Sequence, residues 1–150
     1  MTIHFICRGN SHRTIMAEAY LKSLQLKDIK VISSGVIANA NHTLNERVLP
    51  HTIALLKKHG IDNYSKTHSD QLTQARVESG DITIFMNQIV VDECEKLVTL
   101  PGDIVIWDID DTGEGQRIVQ PGGDDYQYDE EIYEEIVHNI DQFVHEKNLV

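Results

Sequence analysis

A chain of 150 residues is long enough for one domain around one hydrophobic core. Its 24 acidic against 13 basic residues leave a formal charge of −11, which argues against nucleic acid or an anionic membrane as the main partner. No run approaches the roughly 20 apolar residues of a membrane span, and Met1 to Ile6 carry no basic region or signal-length apolar stretch, so a cytoplasmic protein is expected. Two cysteines, Cys7 and Cys94, suit a reducing compartment and are too few for a cysteine-only zinc site. The histidines are scattered without metal-ligand spacing, so no metal is expected.

Thr2 to Cys7 is a short apolar run and reads as a strand. Thr14 to Leu26 reads as a helix, with Met16, Ala17, Tyr20, Leu21 and Leu24 on one face. Ile29 to Ser33 is a second strand, leaving through Ser34-Gly35. Leu49 to His59 is a helix that tolerates Pro50 in its first turn and stops at Gly60. Asp81 to Met86 is a continuous apolar run, as in a strand buried on both faces. A helix over Gln88 to Leu97 and a strand over Asp103 to Trp107 follow. Asp108 to Tyr128 is polar and rich in Gly and Asp, hence a long loop. Asp129 to Glu146 is helical, because Ile132, Ile136, Ile140 and Val144 recur every four residues. Strands alternating with helices predict a single three-layer α/β/α domain with a four-stranded, parallel sheet. Ligands in such sheets bind beyond the carboxyl ends of the strands.

At that end of the first strand stands Cys7-Arg8-Gly9-Asn10-Ser11-His12-Arg13, followed by a helix. A loop entering a helix can aim backbone N–H groups inward and form an anion nest. Gly9 and Asn10 suit the backbone angles that such a loop demands. Arg13 offers a planar fork for two phosphate oxygens. Positive surroundings and a helix N-terminus lower a thiol pKa, which would make Cys7 a nucleophile. A lone cysteine at a strand end is also commonly a buried core residue. The strand, the Gly-Asn pair and the helix around it favour the nucleophile.

The segment resembles the active-site loop of the low-molecular-weight protein tyrosine phosphatases, C-x-G-N-x-C-R-S-P. Cys7, Gly9, Asn10 and Arg13 match, and Thr14 stands for the family's serine. The resemblance continues in Ile15-Met16-Ala17-Glu18, Ser33-Ser34-Gly35-Val36 and Phe85-Met86-Asn87. It implies a phosphate-binding loop formed by Arg8, Gly9, Asn10, Ser11, His12 and Thr14, with the Thr14 hydroxyl bonded to the thiolate. His12 replaces the family's second cysteine and Ile15 its proline. His68 lies one position out of register with the family's loop-supporting histidine and reads as a surface residue, and Asp70 falls where a basic residue is expected.

Protonation of the leaving oxygen calls for a carboxylic acid. The family takes it from an Asp-Pro after the fourth strand. Ungapped alignment of Trp107-Asp108-Ile109-Asp110-Asp111-Thr112 puts Asp111 there, with Thr112 for proline; Asp108 and Asp110 remain alternatives. The aromatic pair that eukaryotic members carry after Asp-Pro is replaced by Thr112-Gly113. The resemblance thus implies hydrolysis of phosphate monoesters, phosphotyrosine or a related phosphoprotein or aryl phosphate, through a phospho-cysteine. No cofactor is called for, and a monomer or weak dimer is expected. Two other readings remain: an arsenate reductase that uses an external thiol, and a phosphate-binding module without turnover.

Overall fold

The computed structural model describes residues 1–41 and 48–149. Four parallel strands form one sheet in the order β2-β1-β3-β4: β1 (Thr2–Cys7), β2 (Lys30–Gly35), β3 (Ile82–Phe85) and β4 (Ile104–Ile106). Among the described residues, five α-helices connect and cover them: α1 (Arg13–Ser23), α2 (Pro50–Lys58), α3 (Gln74–Ser79), α4 (Gln88–Glu95) and α5 (Asp129–Glu146). The expected α/β architecture is therefore present. Among the described residues, no helix is long and apolar enough to cross a membrane.

The central strands are apolar on both faces because helices cover both. Successive side chains of a strand point to opposite faces. Ile3, Phe5 and Cys7 of β1 accordingly join the larger core, with α1, α2 and α5, while Ile6 joins Phe85, Val77, Val90, Val91 and Cys94 beneath α3 and α4. Helix α5 spans the residues expected from its four-residue repeat, and Ile132, Ile136 and Ile140 are fully buried. Burial of each such side chain contributes about 1.5–3 kcal/mol.

Several boundaries differ from the sequence reading. Helix α1 ends at Ser23, because Gln25 and Asp28 adopt φ of 50° and 60°, which a helix cannot continue through. Strand β2 runs on to Gly35, since pairing with β1 continues to the Cys7–Gly35 register. Helix α3 was not foreseen: it has six residues and one buried apolar side chain, Val77, too few to make a periodic pattern. The Thr73 side chain caps it by accepting a hydrogen bond from the Arg76 N–H at 3.2 Å. Two 3₁₀ turns, Ala38–Asn41 and Asp62–Tyr64, were not foreseen either.

The sheet order reverses direction at β1: β2 is added on one side, β3 and β4 on the other. The crevice at this switch point opens at the carboxyl end of β1, where Cys7 stands.

On the opposite face, His4 is fully buried. Its Nε2 lies 2.8 Å from Ser34 Oγ, which accepts a hydrogen bond from Arg76 Nε at 2.7 Å. The Ser34 proton is thus left for His4, which accepts it as a neutral ring. Burial, then the charges of Arg76 and Lys66, lower the His4 pKa from 6.5 to about 3. The unfolded chain takes up this proton near pH 6.5 and the folded chain does not. The contribution is absent above pH 6.5, and on acidification from 6.5 towards 3 it removes stability at up to about 1.4 kcal/mol per pH unit. Denaturant unfolding of wild type and His4→Gln should therefore show a stability difference that shrinks between pH 6 and 4. A constant difference would contradict the neutral buried ring.

Candidate active site

Residues 7–13 turn from the end of β1 into α1 and wrap around the Cys7 sulfur. Five of the loop carbonyls face outward and are satisfied there. Cys7 O accepts from Val36 N at 3.1 Å, Arg8 O from Ile37 N at 2.9 Å, and His12 O from Met16 N at 3.0 Å. Asn10 O accepts from Ser69 Oγ at 2.7 Å and Ser11 O from Thr52 Oγ1 at 3.1 Å. A peptide unit is planar and trans, so each outward carbonyl sends the next residue's N–H the opposite way. The N–H groups of Arg8, Gly9, Ser11, His12 and Arg13 therefore turn towards the inside of the loop. This arrangement is an anion nest at a helix N-terminus.

Asn10 closes the turn. Its φ of 52° is in the left-handed region, which asparagine tolerates better than most residues. Its N–H points at Cys7 Sγ at 3.2 Å. Its side-chain amide donates to Thr14 Oγ1 at 2.8 Å and Ser33 Oγ at 2.9 Å, and its Oδ1 accepts from Asp70 N at 2.8 Å. Ser33 in turn donates to the buried Glu18 carboxylate. Because Thr14 Oγ1 accepts from Asn10, its own proton is directed at Cys7 Sγ, 3.1 Å away. The sulfur thus has a backbone N–H and a hydroxyl as its two polar neighbours.

Asn10 is supported by Ser69 and the Asp70 backbone rather than by a histidine. His68 is exposed, as its sequence position suggested, with Nε2 3.5 Å from Asp70 Oδ1. The acid at position 70 has a local reason. Its carboxylate pairs with Lys66 at 2.9 Å and Arg76 at 3.8 Å. Burial works to raise the Asp70 pKa, but the hydrogen bond and charge of Lys66, with Arg76, hold it below the ordinary carboxylate value.

Arg13 is buried at the start of α1 and donates to Ile109 O at 2.8 Å. Asp111 Oδ2 lies 3.8 Å from Arg13 Nε, and Glu114 Oε1 lies 3.0 Å from Arg13 Nη2. Of the three aspartates considered after β4, Asp111 is thus the one that faces the guanidinium. The Asp110 carboxylate is engaged by Asn87 Nδ2 at 3.2 Å, and Asp108 is exposed. Glu114 was not anticipated. It accepts from Asp111 N at 3.2 Å and Asn87 Nδ2 at 3.1 Å as well as pairing with Arg13. A polar residue in a polar loop carries no periodic signal, so only folding reveals it.

The other expected loop residues divide by side chain. Arg8 is exposed and pairs with Glu93 of α4 at 3.4 Å. The His12 side chain is buried and directed at Thr52 and Asp129, so only its backbone belongs to the nest.

A loop of inward N–H groups around a sulfur, with an arginine and a carboxylate beside it, is the decisive feature. The family model for the low molecular weight phosphotyrosine protein phosphatases matches residues 2–147. The chain belongs to this family. It is also similar to a protein-arginine-phosphatase of Bacillus subtilis, 37% identical over 90 residues that cover 57% of this chain and 55% of that protein. The chain therefore matches little more than half the length of that relative. An arsenate reductase of Staphylococcus epidermidis is 30% identical over 146 residues, covering 96% of both chains. Among solved structures, a Drosophila arginine phosphatase superimposes with a TM-score of 0.75 at 20% identity, covering 98% of each chain. A low molecular weight protein tyrosine phosphatase of Bacillus subtilis gives 0.71 at 24% identity and 99% coverage of each. At these identities the structural likeness establishes the fold of the family.

Gly35 packs directly on the loop. A Cβ there would lie 2.7 Å from Asn10 N and Gly9 C and 2.9 Å from Arg8 O. Gly35→Ala should therefore displace the nest and weaken vanadate affinity on the order of 10–100-fold, as expected when a positioned group moves by about 1 Å. Gly102→Ala, which enters open space, serves as control. Equal affinities in competition titrations would show that the Gly35 contact does not hold the loop.

Proposed function

We propose that the protein hydrolyses phosphate monoesters through a phospho-cysteine on Cys7, with a phosphoprotein or an aryl phosphate as substrate. The observation that carries this reading is the nest of inward N–H groups over a Cys7 sulfur that accepts bonds from Asn10 and Thr14. Cys7 Sγ attacks phosphorus. The S–P bond forms as the P–O ester bond breaks, and the leaving oxygen takes a proton from Asp111. Arg13 and the loop N–H groups hold the equatorial oxygens, where charge is greatest. Water then attacks phosphorus, the S–P bond breaks and the water proton returns to Asp111. The position of Asp111 beside Arg13 supports its choice over Asp108 and Asp110.

The similarity to arsenate reductases raises the reductive alternative. A relay of oxidation through the chain's own thiols needs a second cysteine near Cys7. Cys94 is fully buried in the core on the other face of the sheet. Burial, then Glu95, raises its pKa to about 11, which keeps it a thiol at neutral pH. These features weigh against an internal thiol relay and leave a reductase that uses an external thiol as the alternative. Turnover measured on phosphotyrosine, phosphoserine, phosphoarginine and aryl phosphates, beside arsenate-dependent thiol consumption, tests the choice. Cys7→Ser should abolish hydrolysis while still binding vanadate, and full activity in that variant would sink the mechanism.

An acid matters most when the leaving oxygen is basic. Asp111→Asn should slow hydrolysis of alkyl and ordinary aryl phosphates by on the order of 10²–10⁴-fold, with a smaller loss for very acidic phenols. The same leaving-group series on Asp108→Asn and Asp110→Asn is the comparison. A steep dependence in Asp110→Asn and none in Asp111→Asn would move the acid by one residue.

Since His12 occupies the family's second-cysteine position and Cys94 lies across the sheet, an oxidised Cys7 lacks a neighbouring thiol. Peroxide should carry Cys7 beyond sulfenic acid to forms that a thiol reductant does not recover. Peptide mass spectrometry should find sulfinic and sulfonic Cys7. A dominant, reducible intramolecular disulfide would refute this.

A further inference from the structure

Behind the phosphate loop, outside the proposed chemistry, three potential ligands converge from three elements. His12 comes from the loop, His51 from the first turn of α2 and Asp129 from the first residue of α5. One donor atom from each lies within 4.8 Å of the other two, a grouping found nowhere else among the described residues. His12 Nε2 stands 3.2 Å from Asp129 Oδ1, and His51 Nδ1 stands 2.6 Å from Asp129 Oδ2.

The protons around His12 can be counted. Thr52 Oγ1 gives its proton to Ser11 O, so at its 2.6 Å contact with His12 Nδ1 it must accept. His12 Nδ1 therefore carries a proton, and in the neutral ring Nε2 holds a lone pair. That lone pair faces Asp129 Oδ1, another acceptor. Both atoms are buried and neither has a hydrogen-bond partner of good geometry, in a His12 side chain only 4% exposed. Two buried lone pairs aimed at one another call for a positive centre between them, a proton on His12 or a metal ion.

We propose that His12 Nε2, His51 and Asp129 form a binding site for a divalent transition metal of the zinc class. Imidazole and carboxylate are ligands of this class, whereas magnesium and calcium take oxygen ligands. Ligands about 2.0–2.1 Å from a tetrahedral zinc lie about 3.3 Å from each other, close to the 3.2 Å between His12 Nε2 and Asp129 Oδ1. The Thr52 hydroxyl fixes the His12 tautomer as an outer partner of a metal-bound histidine does. Tyr126 stacks on the His51 ring at 4.3 Å between centroids and limits its rotation. Three protein ligands leave one tetrahedral position for water. A bound ion would tie the phosphate loop to α2 and α5 immediately before Arg13.

The test uses the full-length, untagged chain carrying Cys7→Ser, so that a catalytic thiolate cannot bind the metal. Calorimetric titration with Zn²⁺ should give one equivalent at micromolar or tighter affinity, and Mg²⁺ none. Co²⁺ should give visible d–d bands, and Zn²⁺ should raise Tm by several degrees. Adding His51→Ala or Asp129→Asn should weaken binding at least 10-fold and remove both the bands and the Tm shift; circular dichroism checks that each variant is folded. His51 is the safer site, since its side chain is partly exposed. Binding that persists unchanged in both folded variants, or absence of binding at 100 µM Zn²⁺, would reduce the cluster to an ion pair and overturn the site.

Discussion

The geometry of the candidate site depends on one constraint: the carbonyls of Cys7, Arg8, Asn10 and Ser11 in the loop between β1 and α1 find donors on its outside. Val36, Ile37, Thr52 and Ser69 supply them, from the segment after β2, from α2 and from the loop before α3. Buried backbone carbonyls left without donors would each cost about 1–3 kcal/mol. The nest of inward N–H groups is therefore set by the surrounding fold as much as by the loop itself. Asn10 joins the two, with its left-handed backbone inside and its amide spanning Thr14, Ser33 and Asp70.

The electrostatics follow a related logic. A chain of net charge −11 has to present a positive pocket to an anion. Arg13 is nearly inaccessible, and a buried guanidinium is tolerated only when paired and hydrogen-bonded. Ile109 O, Glu114 and Asp111 perform that role. Glu114 joins the segment bearing Asp111 to both Arg13 and Asn87, so the clamp and the candidate acid are positioned by one carboxylate. The segment is fastened to α5 by Arg117, which donates to Asp110 O at 2.6 Å and pairs with Glu131 and Glu135.

The family fold accommodates both the phosphatase and the arsenate reductase relatives found here. What bears on an internal thiol relay in this chain is where sulfur lies. One sulfur sits in the nest, and the other is sealed in the opposite core. His12 takes the remaining loop position, and its ring turns away to Thr52 and Asp129.

The sequence alone determined the α/β class, four strands and the long final helix, because each rests on local spacing: apolar runs alternating with helical stretches, or a four-residue repeat; it also marked the loop from Cys7 to Arg13 between a strand and a helix. The family resemblance selected Asp111, and the fold placed it beside Arg13. Helix α3 escaped because six residues are too short to express a period. Glu114 and Ser69 escaped because polar residues in polar segments carry no pattern, and their partners lie 59 and more residues away. The meeting of His12 with Asp129, brought together across the domain by α1 and α5, was decided only by tertiary packing. Hydrophobic burial fixes how those helices lie against each other, and the polar side chains at their ends meet as a consequence.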